Sequence, residues 1–151
     1  MSILYYTLNN SVFTNFAFYS TASIVKLMGM AALTTMKRLS KDAFANPEDR
    51  TFARDTTVVV KTDPDVERIR RNHLNDIENI IPFVLVGFFY VTTNPHPDVA
   101  YWHFRVFFIS RLVHTVCYQM PLPQPGRFIA CAVGYLTTLS MALQVLFFAR
   151  P

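Results

Sequence analysis

Four apolar stretches, three of them as long as a membrane crossing, limit this chain to few architectures. They are residues 12–33, broken by Lys26; 80–91; 99–118, broken by Arg105 and Arg111; and 128–149. A helix needs about 20 residues to cross the hydrocarbon of a bilayer. The first, third and fourth stretches reach that length alone. The second reaches it if its helix begins near Val66 and its polar end stays in protein or headgroups. Hydrophobic residues form 52% of the chain, more than a soluble domain of this size usually carries. The expected fold is all-α: a single transmembrane four-helix bundle over 1–151, with helices near 12–38, 66–92, 99–120 and 127–149.

The connections set the orientation. Asn94-Pro-His-Pro-Asp98 and Pro121-Leu-Pro-Gln-Pro-Gly126 hold too much proline to stay helical. The connection over 39–65 is long, with Asn46-Pro-Glu-Asp49 and Thr62-Asp-Pro-Asp65 composed like helix caps at its edges. Eight of the 14 Lys and Arg lie between Arg38 and Arg71, mixed with seven acids, so the stretch is no nucleic-acid tail. The N-terminal tail and the 94–98 turn carry neither Lys nor Arg. Positive loops stay cytosolic, which places 39–65 and 121–126 in the cytosol and both termini on the lumenal or outer face. The stretch from Val12 lacks a basic n-region and reads as a retained helix rather than a cleaved signal. Asn9-Asn10-Ser11 is a formal glycosylation signal, but it sits almost against the first helix, so an unmodified Asn9 is expected. Cys117 and Cys131 lie in apolar segments and read as small buried hydrophobes.

Ionisable residues inside a membrane are costly, so each implies a partner or a task. Counted from the lumenal helix ends at about 1.5 Å per residue, Lys26, Asp76 and Arg111 fall at one depth, roughly 20–24 Å. The expectation is a buried network of these three that fixes helix register. A second group lies nearer the cytosol: Arg38, Arg71, His73 and Tyr118, with Arg127 just after the proline-rich turn. Arg71, Asn75 and Glu78 share one face of the second helix, as do Arg111, His114, Thr115 and Tyr118 on the third. Alone, Arg38, Arg70 and Arg71 would read as snorkelling to headgroups. Asn75, Asp76, Glu78 and Asn79 follow at once, however, and such a run must line a protein interior. A basic, partly dry pocket open to the cytosol suits a small ligand with several carboxylates, which arginine binds bidentately.

The run Val66-Glu-Arg-Ile-Arg-Arg-Asn-His-Leu-Asn-Asp-Ile-Glu-Asn-Ile-Ile-Pro82 resembles the signature of the membrane-associated proteins in eicosanoid and glutathione metabolism, the MAPEG family. Phe44-Ala-Asn-Pro-Glu-Asp49, Arg111-Leu-Val-His-Thr-Val-Cys-Tyr118 and Pro121-Leu-Pro-Gln-Pro-Gly-Arg127 match it too, and the likeness runs from about residue 12 onward. Leu74-Asn-Asp-Ile-Glu-Asn-Ile-Ile-Pro-Phe83 and Leu122-Pro-Gln-Pro125 are most similar to its microsomal glutathione transferase branch.

The resemblance implies a homotrimer of four-helix subunits with glutathione, the cosubstrate, between neighbours near the cytosolic face. Arg38 would reach glutathione carboxylates across the interface. Arg70, Arg71 and His73 would complete the anion cradle, with Asn75 and Glu78 below and Glu78 accepting from the α-ammonium. His114 and Tyr118 would line the pocket from the third helix. Arg127 matches the arginine placed beside the glutathione sulfur and is the catalytic candidate; no metal is expected. The implied activity is conjugation of hydrophobic electrophiles, with glutathione peroxidase activity on lipid hydroperoxides. The implied location is the endoplasmic reticulum or the mitochondrial outer membrane, with the site facing the cytosol.

Departures sharpen this. The prostaglandin E synthases of the family carry a serine and a tyrosine where this chain has Phe128 and Cys131, and an arginine where it has Leu74. Conjugation is therefore expected over prostaglandin isomerisation. Arg50 stands where some family members carry a stress-reactive cysteine, so activation through that thiol is not expected. An eicosanoid synthase and a non-catalytic binding protein remain as alternatives; retention of Arg127 weighs against the second.

Overall fold

The computed structural model describes residues 5–52 and 62–150. Arg54 and Lys61 of the basic connection, and the side chain of Arg50, lie outside the described residues. Four helices run in chain order: α1 (Ser11–Lys41), α2 (Pro64–Thr92), α3 (Pro97–Gln119) and α4 (Gly126–Phe148), with a short 3-10 turn at Pro47–Phe52.

Their ends follow local chemistry. The Asn10 side chain accepts from the N–H groups of Val12 and Phe13 at the start of α1. Asp63 caps α2 through Asp65 and Val66, and Pro64 follows at the first helical position, where its missing N–H costs nothing. Asp42 ends α1 in the left-handed region, which a short polar side chain tolerates. Asn46 and Asp49 are hydrogen-bonded to each other within the Asn-Pro-Glu-Asp turn.

The helices form a square in which α2 packs on α1 and α4, and α3 on α1 and α4. α2 and α3 touch more lightly across the middle, and α1 and α4 take opposite corners. One end of the bundle gathers the end of α1, the start of α2, the end of α3 and the start of α4; we call it the basic end.

Half of the main apolar cluster is aromatic. Phe83 stacks on Phe107 with centroids 3.7 Å apart, and Phe104 meets Phe16, Phe83 and Tyr90. Gly87 lets Phe16 approach α2: a Cβ there would lie 2.5 Å from the Phe16 ring. The outside is inverted relative to a soluble protein. Phe18, Met28 and Met36 on α1 and Phe128, Leu136 and Leu146 on α4 are all exposed, apolar outer faces that suit lipid rather than water.

Among the described residues, α1, α2 and α4 are long and apolar enough to cross a membrane. α3 is long enough at 23 residues, but its composition falls short, contrary to the expectation that its stretch suffices alone. His103, Arg105, Arg111 and His114 lower its hydropathy, and of these Arg111 and His114 are turned into the bundle and not toward lipid. Tight turns join α3 to α2 and α4, so it crosses with them.

The buried charges settle differently from the three-way network expected. Lys26 on α1 and Asp76 on α2 form an ion pair, with the Asp76 side chain wholly buried. Arg111 pairs with neither. Its Nη1 donates to Asn75 Oδ1 at 3.2 Å and its Nη2 to the Ala130 carbonyl at 3.1 Å. Depth from the helix end sets the level of a residue but not its angle, and Asn75 is the neighbour of Asp76 that points toward α3. Lys37 and Lys41 add exposed ion pairs to Asp65 at the basic end.

Removing one partner of a buried pair costs about 3–5 kcal/mol, whereas apolar replacement of both is often tolerated. Asp76→Ala should therefore sharply reduce folded protein, and Lys26→Met with Asp76→Leu should restore much of it, measured as the monodisperse fraction in detergent. Arg111 keeps both acceptors throughout.

Candidate functional site

At the basic end the structure stacks three side chains. Arg127, in the first turn of α4, sets its guanidinium 4.7 Å from the centroid of the Tyr118 ring. Tyr118 in turn lies 5.6 Å from the ring of His114, which is buried. The 121–125 turn makes this possible by reversing the chain between the end of α3 and the start of α4. No carboxylate lies in ion-pair range of Arg127 among the described residues. A fixed, half-buried cation therefore stands near the mouth of the bundle, able to stabilise an anion brought beside it.

The interior behind the stack is polar. Asn72 is fully buried, and neither atom of its amide has a hydrogen-bond partner among the described residues. His114 Nδ1 and Thr115 Oγ1 are buried without partners on the same terms. The guanidinium of Arg111 is seated by Gly134, where an added Cβ would lie 2.8 Å from Ser110 Oγ and 3.1 Å from Arg111 Nε.

The other candidate residues distribute over the same end without converging in one protomer. Arg38 lines two cavities under the 43–52 segment, of about 160 and 330 Å³, and Asp49 borders the larger. Arg70 is exposed and salt-bridged to Glu67 at 2.9 Å. Arg71 is exposed and His73 half-buried on the start of α2. Asn75 is occupied by Arg111, with its amide nitrogen 4.0 Å from Cys131 Sγ. Glu78 opens on a separate groove of about 180 Å³ between α2 and α4, beside Asn79 and Pro82. Pro82 has no N–H to return to the Glu78 carbonyl, so backbone and side chain of Glu78 both present acceptors there. Arg38 and Arg127 stand on helices at opposite corners of the square.

Sequence reasoning missed Asp49 as a neighbour of Arg38, and Gly134 as the seat of Arg111. The Asn-Pro-Glu-Asp motif carried a signal for the first. A glycine in an apolar helix carried little for the second.

With this geometry in hand, the comparisons are direct. The MAPEG family model matches residues 16–147. The chain is 44% identical to human microsomal glutathione S-transferase 1 over 142 residues, covering 92% of each chain. It is 43% identical to the mouse protein of that name over 149 residues, covering 97% of this chain and 96% of the other. It is also 43% identical to human prostaglandin E synthase over 131 residues, covering 87% and 86%. The chain belongs to the MAPEG family, a class of integral membrane proteins that this four-helix architecture fits.

Overpacking a tight site costs about 1–3 kcal/mol. Gly134→Val should lower thermal stability in detergent by that order, because the added methyls would push Ser110 and Arg111 from their acceptors.

Proposed function

We propose that this chain is a membrane-bound glutathione transferase that joins the glutathione thiolate to hydrophobic electrophiles delivered through the bilayer. The observation that carries the reading is the Arg127 guanidinium held on Tyr118 with no carboxylate to neutralise it, in a chain so similar to proteins named microsomal glutathione S-transferase. The nucleophile belongs to the cosubstrate, so no Ser-His-Asp arrangement is required.

The thiolate is the reactive form, and a free thiol has a pKa near 8.5. Each unit of lowering takes about 1.4 kcal/mol of preferential stabilisation. A fixed cation in a site partly shielded from water stabilises the sulfur anion over the thiol. Arginine keeps its own proton at physiological pH, so Arg127 acts through its field and donors and is not a general base. The thiol proton leaves to water. The thiolate then attacks an electrophilic carbon to give a thioether, expelling halide from an aryl halide. Alternatively it attacks the outer oxygen of a lipid hydroperoxide, breaking the O–O bond to give a lipid alcohol and the glutathione sulfenic acid, which a second glutathione converts to the disulfide with release of water.

Glutathione would span two subunits. Its carboxylates need Arg38, Arg71 and His73, while its sulfur needs Arg127, and α1 and α4 are at opposite corners of one protomer. Arg38 of a neighbour can supply the missing side. A homotrimer with α2 innermost would also cover Glu78 and the groove beside it, which cannot face lipid. The site would face the cytosol, in the endoplasmic reticulum or mitochondrial outer membrane. Prostaglandin isomerisation is the weaker reading, because Phe128 and Cys131 stand where the family's synthases carry serine and tyrosine.

Arg127→Ala should keep glutathione affinity within a modest factor. It should abolish the ultraviolet thiolate band at neutral pH and cut turnover of an aryl halide by about 10²–10³, the usual effect of losing one anion-stabilising donor. Arg38→Ala should weaken binding yet still form thiolate at saturating glutathione. Normal thiolate and turnover in the Arg127 variant would sink the mechanism. For the assembly, the mass in mild detergent should be three times that of the 17.4 kDa chain; a monomer at working concentration would refute the shared site.

A further inference from the structure

Arg105 belongs neither to the buried network nor to the basic-end cluster. It lies on α3 about 12 Å from the helix start at Pro97, far from the basic end. Its Nη1 donates to Tyr101 Oη at 2.8 Å, and its guanidinium carbon lies 5.6 Å from the Tyr101 centroid and 5.3 Å from that of Trp102. Tyr101 and Trp102 are both nearer the N-terminus of α3, the direction in which helical side chains lean. The charge is thus lifted toward the rim at the 94–96 turn. A guanidinium has five N–H donors, and Tyr101 takes one. Two helical turns closer to the rim, on the same face, Asp98 extends an exposed carboxylate, 3.7 Å from the His96 ring.

Trp102 has a second neighbour. It walls a shallow furrow of about 400 Å³ between α3 and α4 that also touches Ser140. Val106 and Val133 are shared with a second section of about 410 Å³, which continues to Val113 and Gly126. Along α4 the furrow runs from Ser140 to Gly126, about 21 Å, longer than the ~15 Å of a single leaflet. Its polar groups are already engaged: His103 meets the Val99 carbonyl and Ser140 Oγ, Thr137 Oγ1 donates to the Val133 carbonyl and Ser110 Oγ to the Phe107 carbonyl, so the rest of the lining is hydrocarbon.

The order of these groups specifies an occupant. A cation lies deeper and an anion lies at the rim, both on the side of α3 where Tyr101 packs on Tyr19 of α1, and an apolar trough starts on the other side of the Trp102 ring. A zwitterionic phospholipid has the complementary order, with phosphate next to the glycerol, ammonium farther out and an acyl chain below. A fatty acid or anionic phospholipid would bring no cation to Asp98, and a sterol would match neither charge. α3 lies across the square from α2, so an assembly with α2 innermost leaves this edge toward lipid.

We infer that the α3–α4 edge is a seat for one zwitterionic phospholipid, with its phosphate on Arg105, its ammonium at Asp98 and one acyl chain in the furrow. The seat is separate from the glutathione site; it rests on the proposed assembly for its exposure to lipid, and not on the transferase chemistry.

Trp102 is the only tryptophan in the chain, which supplies the assay. Purified full-length protein in detergent micelles is titrated with phosphatidylcholine carrying brominated acyl chains, and Trp102 fluorescence is followed. Quenching should saturate at about one lipid per chain. Arg105→Gln should move the midpoint at least tenfold. Val133→Phe, which fills the furrow and leaves the charges, should reduce the maximal quenching. Brominated phosphatidylglycerol should bind the unaltered protein more weakly, and Asp98→Asn should remove that preference. Quenching that rises linearly with lipid fraction, an unmoved midpoint in Arg105→Gln, or equal binding of phosphatidylglycerol by the unaltered protein would overturn the proposal.

Discussion

An ammonium and a carboxylate withdrawn from water inside a lipid-facing bundle persist only as a pair, and the Lys26–Asp76 contact is the constraint from which the rest follows. It fixes α1 against α2 in depth and in rotation. With Asp76 turned to α1, the adjacent Asn75 is turned toward α3, where it receives Arg111. Arg111 then reaches the Ala130 carbonyl and ties α4 to the same level. The position of Arg127 one helical turn nearer the basic end is set by this chain of contacts as much as by the turn before it.

The outline of the fold was legible because a bilayer leaves few choices. Apolar length gave the number of helices, and proline clusters gave two of the turns. Asp63-Pro64 marked the start of α2 two residues before the apolar pattern placed it. α3 was less legible. Its polar residues depress its hydropathy, and their burial depends on neighbours that a window along one helix does not see.

The site divided along the same line. Depth counted from the helix ends brought Lys26 and Asp76 together, and placed Arg127 beside Tyr118. Depth carries no information about angle, so it assigned Arg111 to Asp76 when the partners are Asn75 and a backbone carbonyl. A carbonyl acceptor has no side-chain signature at all. For the same reason the sequence grouped Arg38 with Arg127 by level, whereas the bundle sets their helices at opposite corners. The Arg105–Trp102 contact and the furrow beside it depend on how two helices face each other, which spacing along either one does not encode.

The bonding of Arg111 bears on how the protein enters the membrane. A chain is made from its N-terminus, so α3 leaves the ribosome when α2 already exists and α4 does not. At that moment the Ala130 carbonyl is absent, and Asn75 is the acceptor available to the Arg111 guanidinium. A helix with an uncompensated arginine at its centre partitions poorly into lipid. α3 is thus suited to enter alongside α2 as a hairpin, with Arg111 shielded by the asparagine. α4, the most apolar of the four by composition, can insert unaided and close the bundle over it.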